Sequence, residues 1–255
     1  WQELLLKNVT MNQRANISIR GGGAAAQYFV SGSFSHDSGM YKVDKRNNYN
    51  NNINNNSFSL RSNVNINVTK TTELIVRLNG TFDDYSGPLD DGMTTYNRIL
   101  HSNPVLFLPY YEKDEEHQFT EHIMFGNAGD GHYANPYADL VRGYKDFSRT
   151  LMQASVEGKQ NLDFLIEGLS VRAMFNVSRT SQFSVNRGSD AFYYKTTTKN
   201  PNTGKYSYDL IKEGTEYLHY WENPDDKRLN STYYLEATAN YTHTFANKHD
   251  VSGML

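Results

Sequence analysis

Cysteine is absent from the 255 residues, which removes disulfides, thiolate metal sites and cysteine nucleophiles together. No run of about 18 apolar residues occurs, so a conventional membrane-crossing helix is excluded, although barrel strands escape that test because their alternation averages to low hydropathy. Net charge is nearly missing too. At -3, the balance suggests neither a nucleic-acid footprint nor an acidic tail, and no nucleic-acid partner is expected. Hydrophobic residues reach only 38% and mean hydropathy is -0.70, low for one compact domain of this length. No initiator Met, basic n-region or apolar h-region opens the chain, so a targeting signal is expected to lie outside it. The alternating strand begun at Asp250 stops at Leu255, and the chain reads as part of something longer.

What is present is alternation. Phe58, Leu60, Val64, Ile66 and Val68 alternate with Ser59, Arg61, Asn63, Asn65 and Asn67, with Ser62 interrupting the apolar set. After Thr69-Lys70-Thr71-Thr72, the pattern resumes with Leu74, Val76, Leu78, Gly80 and Phe82 against Glu73, Arg77, Asn79, Thr81 and Asp83, broken by Ile75. A period of two over roughly eleven residues is the length a tilted strand needs to cross a bilayer. Each strand has one apolar face and one face of Arg, Asn, Ser and Thr that must meet water or a polar filling.

The same pattern recurs along the chain. Ile17 and Ile19 alternate with Asn16, Ser18 and Arg20 before a turn at Gly21-Gly22-Gly23, and Tyr28, Val30, Gly32 and Phe34 run back. Asn47 to Asn56 is nearly pure Asn and is expected to be an exposed low-complexity connector. About 65 residues separate Asp83 from the next strand, a length that points to a functional loop with its own structure. Within it, Asp91 is positioned to cap a short helix with Tyr96, Ile99 and Leu100 on one face, ended by Pro104. Strands return at Leu151–Gln160, Ser170–Ser178 and 232–245, and Asn200-Pro201-Asn202-Thr203-Gly204 marks a hairpin in the long connection between the last two. Connections thus alternate short and long, as in outer-membrane barrels, and Phe58, Phe82, Tyr233 and Tyr241 fall where aromatic girdles sit.

Motifs for chemistry are few. Glu116-His117 and Glu121-His122 are spaced i,i+5, which on a helix puts the two His on different faces, so no metal role is expected. Asp90-Asp91-Gly92 lacks the order of a calcium loop. The Asn-x-Ser/Thr sequons lie mostly in strands, where a polar face rich in those residues produces them by chance. No nucleophile elbow, Ser-x-x-Lys or His-Glu-x-x-His occurs, so no enzyme and no cofactor is expected. Aromatic loop residues suit stacking on sugars or peptides, or packing of the loops themselves. The candidates are Tyr96, Tyr110, Tyr111, Tyr133, Tyr137, Tyr220 and Trp221.

Asn16-Ile17-Ser18-Ile19-Arg20-Gly21-Gly22, Tyr28-Phe29-Val30-Ser31-Gly32-Ser33-Phe34 and Asp37-Ser38-Gly39 together resemble the barrel signature of SusC/RagA-type TonB-dependent transporters of Bacteroidota. Phe58 to Val64, Asn103-Pro104, Pro109-Tyr110, Asn135-Pro136-Tyr137 and Gly168-Leu169-Ser170-Val171-Arg172 continue the likeness in family order. The resemblance implies an all-β, transmembrane antiparallel β-barrel of the outer membrane, roughly 22-stranded, with long extracellular loops, an N-terminal plug and a SusD-like surface lipoprotein as lid. TonB would act through the plug, which residues 1–255 do not include, to import oligosaccharide or oligopeptide. Strands are expected at about 13–20, 27–36, 57–68, 73–83, 150–160, 170–178, 232–245 and 250–255. Arg61, Arg77 and Glu236 would face the lumen and the apolar faces would meet membrane lipid. The alternative is a carbohydrate-binding β-domain or small closed barrel working through its Tyr-rich loops. A hydrolase using Asp114 and Glu116 is a third reading.

Overall fold

A computed structural model describes every residue except Asn200, Asn202, Trp221, Glu222, Pro224, Asp225 and Asn247. In chain order its elements are α1 (Gln2–Leu5), β1 (Asn12–Gly22), β2 (Ala26–Ser38), β3 (Asn54–Asn67), β4 (Thr72–Gly87), α2 (Gly92–His101), β5 (Tyr110–Tyr111), β6 (Met124–Gly126), α3 (Pro136–Val141), β7 (Gly143–Asn161), β8 (Leu169–Gly188), β9 (Tyr193–Lys199), β10 (Tyr206–Lys212), β11 (His219–Tyr220), β12 (Lys227–Phe245) and β13 (His249–Met254). The fold is mostly antiparallel β: one open antiparallel wall in the order β1-β2-β3-β4-β7-β8-β12-β13, with β11 on β8, and a small second sheet β10-β9-β6-β5 in which β6 and β9 run parallel.

Several wall strands outrun their alternation. β7 and β8 extend to Gly143 and Gly188 at the long-loop end, and their registers hold from Gly143↔Gly188 to Asn161↔Ser170. The sequence there loses its apolar alternation because the strands have left the region where one face is apolar. Short turns (Gly22 to Ala26, Asn67 to Thr72, Asn161 to Leu169, Phe245 to His249) all lie at one end of the wall, and the long connections at the other.

Register reveals shear. One line of paired residues runs Gly22, Gln27, Asn65, Ile75, Glu157, Met174 and Glu236. The first short turn follows this line directly, whereas β12 continues nine residues from Glu236 to its turn at Phe245. That is about 30 Å along the strands over six strand spacings, about 29 Å. The turns share one level only if strands tilt by about 45°, close to the roughly 35–45° of barrel walls.

The two faces differ throughout. On one, Tyr28, Val64, Val76, Val156, Phe175 and Leu235 form a single register line, and Phe34, Phe58 and Phe82 form another above it. Between the lines of Phe82 and Leu74, Arg179 is the one charged residue on this face across β1 to β12. Allowing for the stagger, Arg179 lies near the height of Phe82. Leu60 is 56% exposed and Leu235 78%. The band covers roughly 700–800 Å² at standard strand spacings, more than the roughly 300–600 Å² that soluble monomers leave uncovered. On the opposite face Ile75, Ser155 and Glu157 are buried by the wall's own side chains, as a concave surface requires.

At the long-loop end the connections pack into a crown. Leu5, Tyr41, Ile99, Phe125, Tyr137, Ala138, Leu140, Val141, Ala191 and Tyr193 form one apolar cluster, drawing on α1, the β2–β3 loop, α2, β6, α3 and β9. Asp91 caps α2 by accepting from the amides of Met93 and Thr94. The helix buries Thr95 and Ile99 and ends at Ser102, while Tyr96 and Leu100 face solvent.

Candidate functional site

The Asn-rich connector is not an exposed chain. Asn51 and Asn52 are buried, because their amides replace a missing core with hydrogen bonds. Asn52 Oδ1 accepts from the Tyr41 amide at 3.0 Å and its Nδ2 donates to Ser38 Oγ. Asn47 Nδ2 and the Tyr49 hydroxyl both donate to the Val141 carbonyl at the end of α3. Composition hid this, since Asn is enriched both in loops and where side chains bond the backbone.

This loop carries Arg46 and Asp44 to the crown's tyrosines. The Arg46 guanidinium lies 4.0 Å from the centre of the Tyr110 ring, and the Tyr137 hydroxyl donates to Asp44. Burial, then the Asp44 carboxylate, pushes the Tyr137 pKa up. Tyr137 sits at the start of α3, where Asn135 is fully buried and makes four bonds. Its Oδ1 accepts from the amides of Tyr137 and Ala138, and its Nδ2 donates to the carbonyls of Pro109 and Gly126. Asn-Pro-Tyr is therefore a cap, a rigid first turn and a core anchor in sequence.

Tyr111 stacks on Tyr208 at 4.4 Å between ring centroids. Thus Tyr110, Tyr111 and Tyr137 belong to crown packing, whereas Tyr96, Tyr133 and Tyr220 are largely exposed, with the Tyr220 hydroxyl on Asp226. Trp221 lies outside the described residues. Tyr193, buried against α3 and β6, has its pKa pushed up to about 12 by desolvation. Arg98 joins Asp90 and Asp139 at 2.5 and 3.0 Å, tying α2 to α3. Burial raises the Asp139 pKa against these cations.

An open cleft of 630 Å³ lies between residues 112–116 and β10, walled by Tyr206 and Tyr208 and floored by Glu112, Asp114, Glu115 and Glu116. Neither tyrosine was singled out from sequence as a contact residue. Asp114, Glu116 and His117 bring ligand atoms within 4.8 Å of one another, but Asp114 is already engaged by the ring and amide of His117 and the amide of Tyr208. The segment is not helical, so the helical-spacing argument fails in its premise. His117 and His122 both contact the Tyr194 ring, at 5.2 and 6.0 Å. His122 also stacks on Phe192 at 3.6 Å and bonds the Tyr194 hydroxyl and Glu216.

Arg61, Arg77 and Glu236 lie on the wall face opposite the apolar band. Arg77 and Glu236 belong to a charge ladder centred on buried Glu157, which pairs with Arg77 at 3.1 Å, Arg172 at 2.7 Å and Lys159 at 3.7 Å. Arg172 reaches on to Glu236 at 2.9 Å, and Lys159 to Glu73 at 3.4 Å. Glu157 and Lys159 went unremarked in the sequence, and Arg172 was noted only as the end of the Gly168–Arg172 motif. The signal was available, since β7 and β8 alternate and these residues fall between Val156, Gly158, Val171 and Ala173.

No family model matches the chain, and no curated protein matches it. Solved structures do. The RagAB peptide importer in its open-open state aligns at a TM-score of 0.56 and 16% identity, covering 100% of this chain and 24% of that one. The RagAB peptide transporter aligns at 0.54 and 16%, and the closed-closed importer at 0.54 and 15%, each with the same coverage. The chain therefore spans about a quarter of the length of these transporter chains and is similar in fold to that part of them.

Proposed function

We propose that the chain forms part of the wall and outer crown of an outer-membrane β-barrel transporter that imports oligopeptides. The observation that carries this is the uncovered apolar band, backed by a polar face and built on strands with about 45° of stagger. A soluble β-domain has no reason to leave such a band bare. The neighbouring folds are peptide importers, which favours peptide over glycan as cargo. The Tyr206–Tyr208 cleft, with rings suited to stacking on sugars, supports oligosaccharide as the second reading.

In this reading Arg61, Arg77 and Glu236 face the lumen, and exposed crown residues such as Tyr96, Tyr133 and Tyr220 contact cargo or a SusD-like lipoprotein lid. TonB acts through a plug elsewhere in the longer protein. Deleting the full-length protein from its host should abolish uptake of a fluorescent oligopeptide by intact cells, with restoration by the wild-type copy. Uptake undiminished by the deletion would overturn the proposal.

A further inference from the structure

The wall's polar face segregates charge. Three register lines cross β1, β2, β3, β4, β7, β8 and β12 between the line of Asp83 and that of Glu157, and they carry Arg20, Arg61 and Arg77 but no carboxylate. The whole chain is net negative, at -3, so this zone has the opposite sign to the protein around it. A surface lined by one sign of charge concentrates ligands of the other.

Within the zone a concavity of 390 Å³ is lined by Arg61, Asn63, Asn79, Gln153, Ser155 and Asn176. Arg77 reaches it too, but its guanidinium is engaged by Glu157. Arg61 is different. Among the described residues it has neither a hydrogen-bond nor an ion-pair partner, and its cross-strand neighbours are Ser31 and Asn79. Asn79 Nδ2 donates to Gln153 Oε1 at 3.2 Å, which leaves the Gln153 side-chain NH2 as a donor. The concavity thus offers one unengaged guanidinium fork among neutral amides.

Resting on the transporter reading above, we infer that this concavity is a carboxylate-binding station on the lumen wall, with Arg61 taking an acidic side chain or the C-terminus of a peptide in transit. A planar fork matches a carboxylate with two parallel hydrogen bonds, and charge-assisted bonds of this kind are roughly twice as strong as neutral ones. A dianionic phosphate calls for a second free cation, and Glu157 already holds Arg77. The single charge also suits release, because a transit site must let its ligand go.

The test uses detergent-solubilised full-length transporter and two probes: a hexapeptide carrying two Glu and a free C-terminus, and the same peptide with Gln and a C-terminal amide. Calorimetry should give Arg61→Gln about tenfold weaker binding of the acidic peptide, with the neutral peptide within about twofold of wild type. Arg61→Lys should recover part of the loss. Equal weakening of both peptides, or of neither, would overturn the station. If Arg61 instead holds a carboxylate of the protein's own chain, Arg61→Gln will lower the melting temperature and leave acidic-peptide affinity intact, which also overturns it. Wild-type protein that binds neither peptide would remove the peptide-import reading itself, and the station with it.

Discussion

The Arg172 Nε donates to the Glu157 carboxylate at 2.7 Å across the β7–β8 boundary, joining two residues diagonal to each other on the polar face of the wall. Glu157 is 4% exposed, and its pairing with Arg77 and Lys159 extends the contact over β4 as well. A carboxylate so enclosed is tolerated only because cations satisfy it.

Glu157→Gln should therefore destabilise the full-length protein in detergent by about 1–3 kcal/mol, less than for a fully enclosed pair because Arg77 and Arg172 are partly solvated. A double-mutant cycle with Arg172→Met should return a coupling clearly different from zero in urea unfolding. A coupling indistinguishable from zero would mean that the ladder is geometry without energy.

Asn135 holds the crown together through four bonds. Replacing it with Ala removes the α3 cap and takes the Asn135 donor from the buried Gly126 carbonyl, while the Pro109 carbonyl keeps the Gly126 amide, a loss of about 2–4 kcal/mol. Limited proteolysis should then cut within residues 88–142 much faster while the wall strands stay resistant. Asn135→Asp keeps the cap acceptor and loses the donors, and should fall between. Uniform cleavage of wall and crown would show that the two are one cooperative unit.

His122 makes the crown sensitive to acid. Burial lowers its pKa, Glu216 opposes that shift, and His117 and Lys113 reinforce it. Folding thus favours the neutral ring: the contribution is present above the ordinary imidazole value and lost as pH falls from there through the lower folded one. Hydrogen exchange around Phe192 and Tyr194 should accelerate over that range in wild type. His122→Phe keeps an aromatic ring for the stack and should abolish the pH step. A step that persists in the variant would assign it to another group.

Legibility followed the range of the interactions. The wall was readable because a strand's face depends on its own period of two, so Phe58 to Ile66 and Leu74 to Phe82 announced both faces locally. Even Ile75, which broke the pattern, has a local reason: it fills the concave face beside Glu157. The crown was not readable in this way. Asn52 is buried by Tyr41 and Ser38, and Tyr137 reaches Asp44 across 93 positions of sequence, so composition alone made the Asn run look solvated. His117 and His122 meet through Tyr194, which no helical spacing rule anticipates in an irregular segment.

The apolar band is tested most directly by single Cys substitutions at 60, 64, 66 and 76 in the full-length protein, since the chain has no native Cys. A membrane-impermeant maleimide is applied to intact outer membranes, with position 105 in the crown, where Val105 is 88% exposed, as the positive control. A lipid-facing band predicts no labelling at the four wall positions until the protein is denatured, and prompt labelling at 105. Prompt labelling at Leu60, Val64, Ile66 and Val76 in the folded protein would contradict a membrane wall.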